Sequence, residues 1–225
     1  MSTAPGRSQA SSLPLGGKAH RAEGASAGTL PTLQGRVDAV VIGASAGGVE
    51  ALSVLLPALP GRMDAAVFVV LHLPRDRRSL LVNIFAPKCA VMVVEAQDKE
   101  PVARGTVYFA PPDYHLLLDD GPQLALSVDE PVHYSRPSID VLFQSATDVY
   151  RDRVLGILLT GGNQDGAAGL DTVRRAGGVT VAQDPLEAQV ALMPESAIEL
   201  GAAEFVLTLA DIAALLRTLV QERAR

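Results

Sequence analysis

Asp38-Ala39-Val40-Val41-Ile42-Gly43-Ala44-Ser45-Ala46-Gly47-Gly48-Val49-Glu50 is the stretch on which the reading of this chain turns. The apolar run Ala39–Ile42 predicts a buried strand, and a cluster of small residues follows with one hydroxyl, Ser45, at its centre. From Val49 the period changes: Val49, Leu52, Leu55 and Leu56 fall at i, i+3, i+6 and i+7, the mark of an amphipathic helix. A strand that breaks into a helix at G-x-S-x-G lifts its serine out of the backbone beside the helix's unpaired N–H groups. Such an end suits an anion, whether a bound phosphate or the oxyanion of an acyl-transfer intermediate.

Outward from this stretch the same grammar repeats. Strand-like runs are expected at 39–42, 66–71, 91–94, 154–159, 179–182 and 205–207. Helical patterns lie between them at about 48–58, 78–86, 138–150, 166–176, 194–200 and 209–223. Uniformly apolar strands alternating with helices predict an α/β fold, a doubly wound and mostly parallel sheet with helices on both faces. The middle departs from this rhythm. Thr106–Ala110, Tyr114–Leu118 and Leu124–Ser127 are short strands broken by Pro111-Pro112-Asp113 and Asp119-Asp120-Gly121-Pro122, and they predict an antiparallel hairpin insertion near 105–127. Residues 1–36 are rich in Ser, Ala, Gly and Pro and almost lack large apolar side chains, so they read as a disordered tail, with one folded domain over 37–225.

Composition narrows the function classes. In 225 residues, 48% are hydrophobic, enough for one substantial core. The net charge of −6, with no run of like charge, argues against a nucleic-acid or anionic-membrane surface. A single cysteine, Cys89, excludes an intramolecular disulfide and a cysteine-based zinc cluster, and it suits a reducing compartment. No apolar stretch approaches the roughly 20 residues of a spanning helix, and the N-terminus has no signal-peptide core. A cytoplasmic protein without membrane insertion is expected.

In open α/β sheets, sites gather beyond the carboxyl ends of the strands. Three such ends carry polar groups here: Ser45, His72 and Asp165. A serine needs a neighbouring base to become a nucleophile, and the base needs an orienting carboxylate. Of the four histidines one lies in the tail, His115 falls in the hairpin region and His133 in a polar loop. Only His72 closes a parallel strand expected next to that of Ser45. Asp165 precedes Gly166-Ala167-Ala168-Gly169, a helix start that would keep its carboxylate ionised. Singly, each has a plain reading, as turn serine, hydrogen-bonded strand-end histidine and N-cap aspartate. One site would explain all three together. A nucleotide site is the rival: Gly43-x-Ser45-x-x-Gly48 is close to G-x-G-x-x-G, and Arg75, Arg77 and Arg78 offer a phosphate clamp. Against it stand serine at the second glycine position and His72 where a ribose-binding acid is expected.

Six stretches in order then resemble one family. They are Ile42-Gly43-Ala44-Ser45-Ala46-Gly47-Gly48, His72-Leu73-Pro74, and Ala110-Pro111-Pro112-Asp113-Tyr114-His115-Leu116. Ser135-Arg136-Pro137-Ser138-Ile139-Asp140-Val141-Leu142-Phe143, Leu159-Thr160-Gly161 with Asp165-Gly166-Ala167-Ala168-Gly169, and Ala182-Gln183-Asp184 with Met193-Pro194 complete the set. Across about 37–220 the chain resembles the catalytic domain of the bacterial chemotaxis protein-glutamate methylesterases. The resemblance implies Ser45 as nucleophile, His72 as general base and acid, and Asp165 as orienting carboxylate. It implies hydrolysis of glutamyl methyl esters on the cytoplasmic helices of a methylated chemoreceptor, with glutamine deamidation as a second activity and no cofactor. An esterase-like domain that binds a receptor or signalling partner with little turnover is the alternative.

The pattern departs from the family in two places. Members usually carry an N-terminal receiver domain, for which 1–36 is too short, so regulation is expected from a separate protein, or activity is constitutive, or the pathway differs. The family loop Thr-Gly-Met-Gly-x-Asp-Gly is here Thr160-Gly161-Gly162-Asn163-Gln164-Asp165-Gly166. The expected oxyanion wall is Ala46, Gly162 and Asn163, with asparagine tolerating a left-handed backbone at the glycine's place. Arg136, Tyr114 and Met193 are candidates for substrate contact, with His115 beside them. Arg136 also has a structural alternative, pairing with Asp140.

Overall fold

The computed structural model describes Met1 and residues 32–73 and 79–220. Most of the expected tail, the Arg75, Arg77 and Arg78 clamp and the last residues of the 209–223 helix lie outside the described residues. In chain order the elements are β1 (Ala39–Ala44), α1 (Gly48–Leu55), β2 (Ala66–Leu71), α2 (Leu81–Phe85), β3 (Met92–Glu95) and β4 (Thr106–Phe109). Next come β5 (His115–Asp119), β6 (Gln123–Ser127), α3 (Ile139–Tyr150), β7 (Val154–Leu158) and α4 (Ala167–Arg175). β8 (Val179–Gln183), α5 (Leu192–Glu199), β9 (Phe205–Leu207) and α6 (Leu209–Leu216) complete the fold.

Seven strands form one sheet in the order β3-β4-β2-β1-β7-β8-β9, with every pairing parallel. Because a strand's side chains alternate, β1 sends Val40, Ile42 and Ala44 into one core and Ala39 and Val41 into another. Both faces are covered, so both sets are apolar and the strand reads as a continuous hydrophobic run. The first core includes Leu52 and Leu55 of α1 and Ile212, Leu215 and Leu216 of α6. The second includes Leu142 and Phe143 of α3, Leu170 and Val173 of α4 and Met193 of α5.

The chain runs from β1 to one side of the sheet and later returns to its other side through β7. The reversal lies between β1 and β7, where open α/β sheets hold their ligands. Gly43 is needed there. A Cβ at that position would collide with the side chain of Ile139, so glycine lets the first residue of α3 lie on β1, near its carboxyl end.

Two expectations are corrected. Thr106–Phe109 does not belong to an antiparallel insertion: β4 is a fully buried parallel strand between β2 and β3, and only β5 and β6 form a hairpin. The reason lies in packing. Phe68 of β2 and Tyr108 of β4 are register partners whose rings stack with centroids 5.6 Å apart, an area of contact that a solvent-facing hairpin would forfeit. The tail boundary at 36 is also too late, because Leu33 is fully buried in the first core and its N–H donates to Thr218 Oγ1 at 3.1 Å.

Leu33→Ala is expected to destabilise the protein by about 2–5 kcal/mol, the cost of a cavity at a buried leucine. Urea unfolding measures this, and a loss below about 0.5 kcal/mol would show that the segment is peripheral.

Candidate active site

Ser45 and His72 each stand one residue past the last paired residues of two adjacent strands. Ala44 and Leu71 are register partners, and the His72 N–H extends the ladder to Ala44 O at 3.1 Å. On its other side Ser45 donates its N–H to Thr160 O at 2.9 Å, which ties the turn after β1 to the loop after β7. Thr160 does more than this. Its N–H donates to buried Gln183 Oε1 at 2.9 Å, and its hydroxyl donates to Ala46 O at 2.8 Å and accepts from Val190 N at 2.9 Å. One threonine therefore holds three loops at the sheet edge.

The loop from Gly161 to Gly166 brings Asp165 beneath His72. Nε2 of His72 lies 2.9 Å from Asp165 Oδ2, with the histidine side chain 12% exposed and the aspartate fully buried. A buried carboxylate must be hydrogen-bonded at every lone-pair direction or become neutral. Asp165 has four donors. Oδ1 accepts from Ser138 Oγ at 2.8 Å and Asp140 N at 3.0 Å, and Oδ2 accepts from Ile139 N at 2.7 Å as well as facing His72. Burial pushes this carboxyl up, but the bonds from His72 and from the N–H groups of Asp140 and Ile139 outweigh it and hold it below the usual carboxylate range. The ionised carboxylate accepts, so Nε2 is the donor of this bond and Nδ1 faces away from Asp165.

The donors come from an unexpected helix. Asp165 precedes α4, yet its carboxylate sits on the N-terminus of α3, whose N-cap is Ser138. Asp140, in the first turn of α3, returns the exchange: its Oδ1 accepts from Gly166 N at 3.0 Å and Gly169 N at 2.6 Å, at the start of α4. Each carboxylate thus meets the positive end of the other's helix. Gly166 makes the crossing possible, with φ +98° at the N-cap of α4 and no room for a Cβ against Leu158 and Ile139. Burial pushes the Asp140 carboxyl up; the Gly169 N–H opposes this, the nearby Asp165 charge adds to it and His133, with Nε2 at 3.5 Å, works against it.

The other candidates separate. Ala46 and Gly162 are exposed on the two loops that the Ser45–Thr160 bond joins. The Gly161 N–H is already given to Val190 O at 2.9 Å, so the next N–H along this loop belongs to Gly162. Asn163 does not adopt a left-handed backbone. Its side chain is used instead: Oδ1 accepts from Asp165 N at 3.2 Å and Nδ2 donates to Ser135 Oγ at 3.3 Å.

Arg136 pairs with Asp113 rather than Asp140, because the Asp140 carboxylate is turned to α4. Its Nη2 and Nε reach Asp113 Oδ1 at 2.8 and 3.0 Å, and its Nη1 donates to Val128 O at 2.7 Å. This arginine braces the loop and also lines the small cavity beside His72. Met193 is fully buried against Gly161 and does not line a cleft. Buried His115 accepts from Ser138 N at 3.1 Å through Nδ1, so it sets the N-cap residue of α3. Tyr114 is 42% exposed but is not part of the small cavity, about 80 Å³, beside His72; Leu73, Tyr134, Ser135, Arg136 and Pro137 line that.

Sequence reasoning passed over Thr160, Ser138 and Asp140 as parts of the site. Ser138 carried a signal, an N-cap serine before an apolar helix. The other two are recognisable only once the loops meet.

Because the Asp165 carboxyl is depressed in the folded protein, its stabilising contribution is complete above the usual carboxylate range and is lost as the pH falls through the depressed value. Asp165→Asn is therefore expected to cost about 2–3 kcal/mol near neutral pH, with the gap from wild type narrowing in acid. Urea unfolding across pH measures it; a gap that stays constant into acid would contradict the assignment.

Comparison with known proteins bears on the sequence and the fold. The family model described as CheB methylesterase matches residues 40–216. A Leptospira interrogans protein, provisionally named protein-glutamate methylesterase/protein-glutamine glutaminase, is 44% identical over 178 residues, covering 79% of this chain and 92% of that protein. The protein-glutamate methylesterase/protein-glutamine glutaminase of Symbiobacterium thermophilum is 41% identical over 77% of this chain, which spans 48% of that longer protein. The crystal structure of the Thermotoga maritima CheB methylesterase catalytic domain superposes with a TM-score of 0.78 at 34% identity, covering 82% of this chain and 99% of that one. By sequence and by fold, the chain belongs to the CheB methylesterase family.

Proposed function

We propose that this protein is a serine hydrolase that removes methyl esters from glutamate side chains of methylated chemoreceptor cytoplasmic helices, and that the same site deamidates receptor glutamines. The observation that carries the reading is the His72–Asp165 pair, a fully buried carboxylate with four donors under a histidine that stands beside Ser45 in the strand register.

In this mechanism the Asp165 carboxylate holds the Nε2–H of His72, and Nδ1 takes the proton from Ser45 Oγ as the hydroxyl attacks the ester carbonyl. The N–H groups of Ala46 and Gly162 receive the oxyanion, at the head of α1 where the helix dipole favours negative charge. His72 then returns its proton to the methoxide leaving group, methanol departs, and Ser45 carries a glutamyl ester. Water, activated by the same imidazole, attacks that ester and frees the glutamate and the serine. For a glutamine substrate the leaving group is ammonia and the second half is unchanged. The reaction as drawn consumes only water.

A receptor substrate places the protein in the cytoplasm. No helix among the described residues is long and apolar enough to cross a membrane. A separate regulatory protein is the proposed source of control, and no nucleic acid takes part.

Methanol release from methylated receptor membranes tests the proposal. Ser45→Ala and His72→Ala are each expected to lower the rate by about 10³-fold or more while the proteins stay folded. Release at the wild-type rate by either variant would rule the assignment out.

A further inference from the structure

We propose that Asp140 is a positioning residue for the hydrolytic site, holding the Asp165 carboxylate in line with His72 by clamping the first peptide groups of α4. The inference rests on the reading of Asp165 as the orienting carboxylate of that site.

The geometry gives Asp140 two links to Asp165. Its backbone N–H donates directly to Asp165 Oδ1 at 3.0 Å. Its side-chain Oδ1 bridges the N–H groups of Gly166 and Gly169 at 3.0 and 2.6 Å. The Gly166 N–H belongs to the peptide bond that follows Asp165, so the bridge fixes the plane from which the catalytic carboxylate departs. A plain helix cap in solvent would do none of this. Asp140 is instead 6% exposed in its side chain and is pressed against Gly169, where an added Cβ would lie 3.0 Å from Asp140 Cα.

Gly166 has a left-handed backbone that glycine tolerates as readily as the ordinary one, so residue type alone does not lock this turn. An outside acceptor must, and Asp140 Oδ1 is that acceptor. Other titratable groups facing it are Asp165 itself and His133, whose Nε2 lies 3.5 Å from Asp140 Oδ2 and which also borders an open cavity of about 440 Å³ with Gln164, Ser196 and Glu199. On the far side of Asp165 stands His72, and His115 reaches the network through Ser138 N.

The test compares Asp140→Ala, which removes the acceptor, with Asp140→Asn, which keeps a carbonyl oxygen in its place. Two readouts are taken: the downfield proton resonance of the His72 Nε2–H bonded to Asp165, and kcat and KM for methyl-ester hydrolysis. For Asp140→Ala, loss of the resonance and a kcat about 10²-fold lower at unchanged KM are expected, the size of effect that a displacement near 1 Å produces. Asp140→Asn is expected to retain the resonance and a kcat within about tenfold of wild type. A folded Asp140→Ala protein that keeps both the resonance and the wild-type kcat overturns the proposal, leaving Asp140 as a stabilising cap only.

If Asp140→Ala does not fold, hydrogen exchange at Gly166 and Gly169 in the wild type decides. Strong protection supports the clamp, and exchange as fast as in exposed loops overturns it. The resonance needs no turnover, so it separates this proposal from the functional one. If Ser45→Ala hydrolyses esters like wild type, the catalytic reading fails while the Asp140–Asp165 link is still judged by the spectrum.

Discussion

A fully buried carboxylate governs the architecture of the site. Asp165 has no solvent to stabilise its charge, so Ser138 Oγ, Ile139 N, Asp140 N and His72 Nε2 must all converge on it. Meeting that demand requires the N-terminus of α3 to lie against the loop before α4, and this is where the exchange of carboxylates between the two helices arises. Asp165 takes α3's unpaired N–H groups and Asp140 takes α4's. Two helix ends that would each need a local cap are satisfied together, and the side chain that results is ionised, held by four hydrogen bonds and aimed at an imidazole.

Strand topology supplies the rest. Reversal of strand order between β1 and β7 opens the sheet edge where Ser45 emerges, and β2 beside β1 brings His72 to the same level. The close approach of Ile139 to Gly43 and the left-handed turn at Gly166 let α3 come near enough to complete the arrangement. Side chains with no reactive group hold the lip of the site. Thr160 joins three loops, Arg136 grips Asp113 and two backbone carbonyls, and Met193 fills the space under Gly161.

Much of this was legible in the residues because it is written in short-range patterns. Buried parallel strands are apolar throughout, and the polar residue that ends each run stands out: Ser45, His72 and the loop to Asp165. What escaped depends on long-range approach. Thr106–Phe109 lies next to turn signals that speak only of local chain reversal, and its place in the main sheet follows from Phe68, 40 residues earlier, stacking on Tyr108. Capping is read within a few residues of a helix start, so Asp165 was assigned to α4, although it serves α3. Leu33 sits alone in a stretch of small and polar residues, where one buried leucine leaves no periodic trace. The pairing of Arg136 with Asp140 failed for the same reason as the cap, since Asp140 was already engaged with α4.

The central claim is that Ser45 is a nucleophile activated through His72. Treating the folded protein with a fluorophosphonate and mapping the adduct by peptide mass spectrometry tests it most directly. The account predicts a single phosphonylated residue, Ser45, with labelling abolished in His72→Ala. An unlabelled Ser45 in folded wild-type protein, or labelling that persists undiminished without His72, would contradict it.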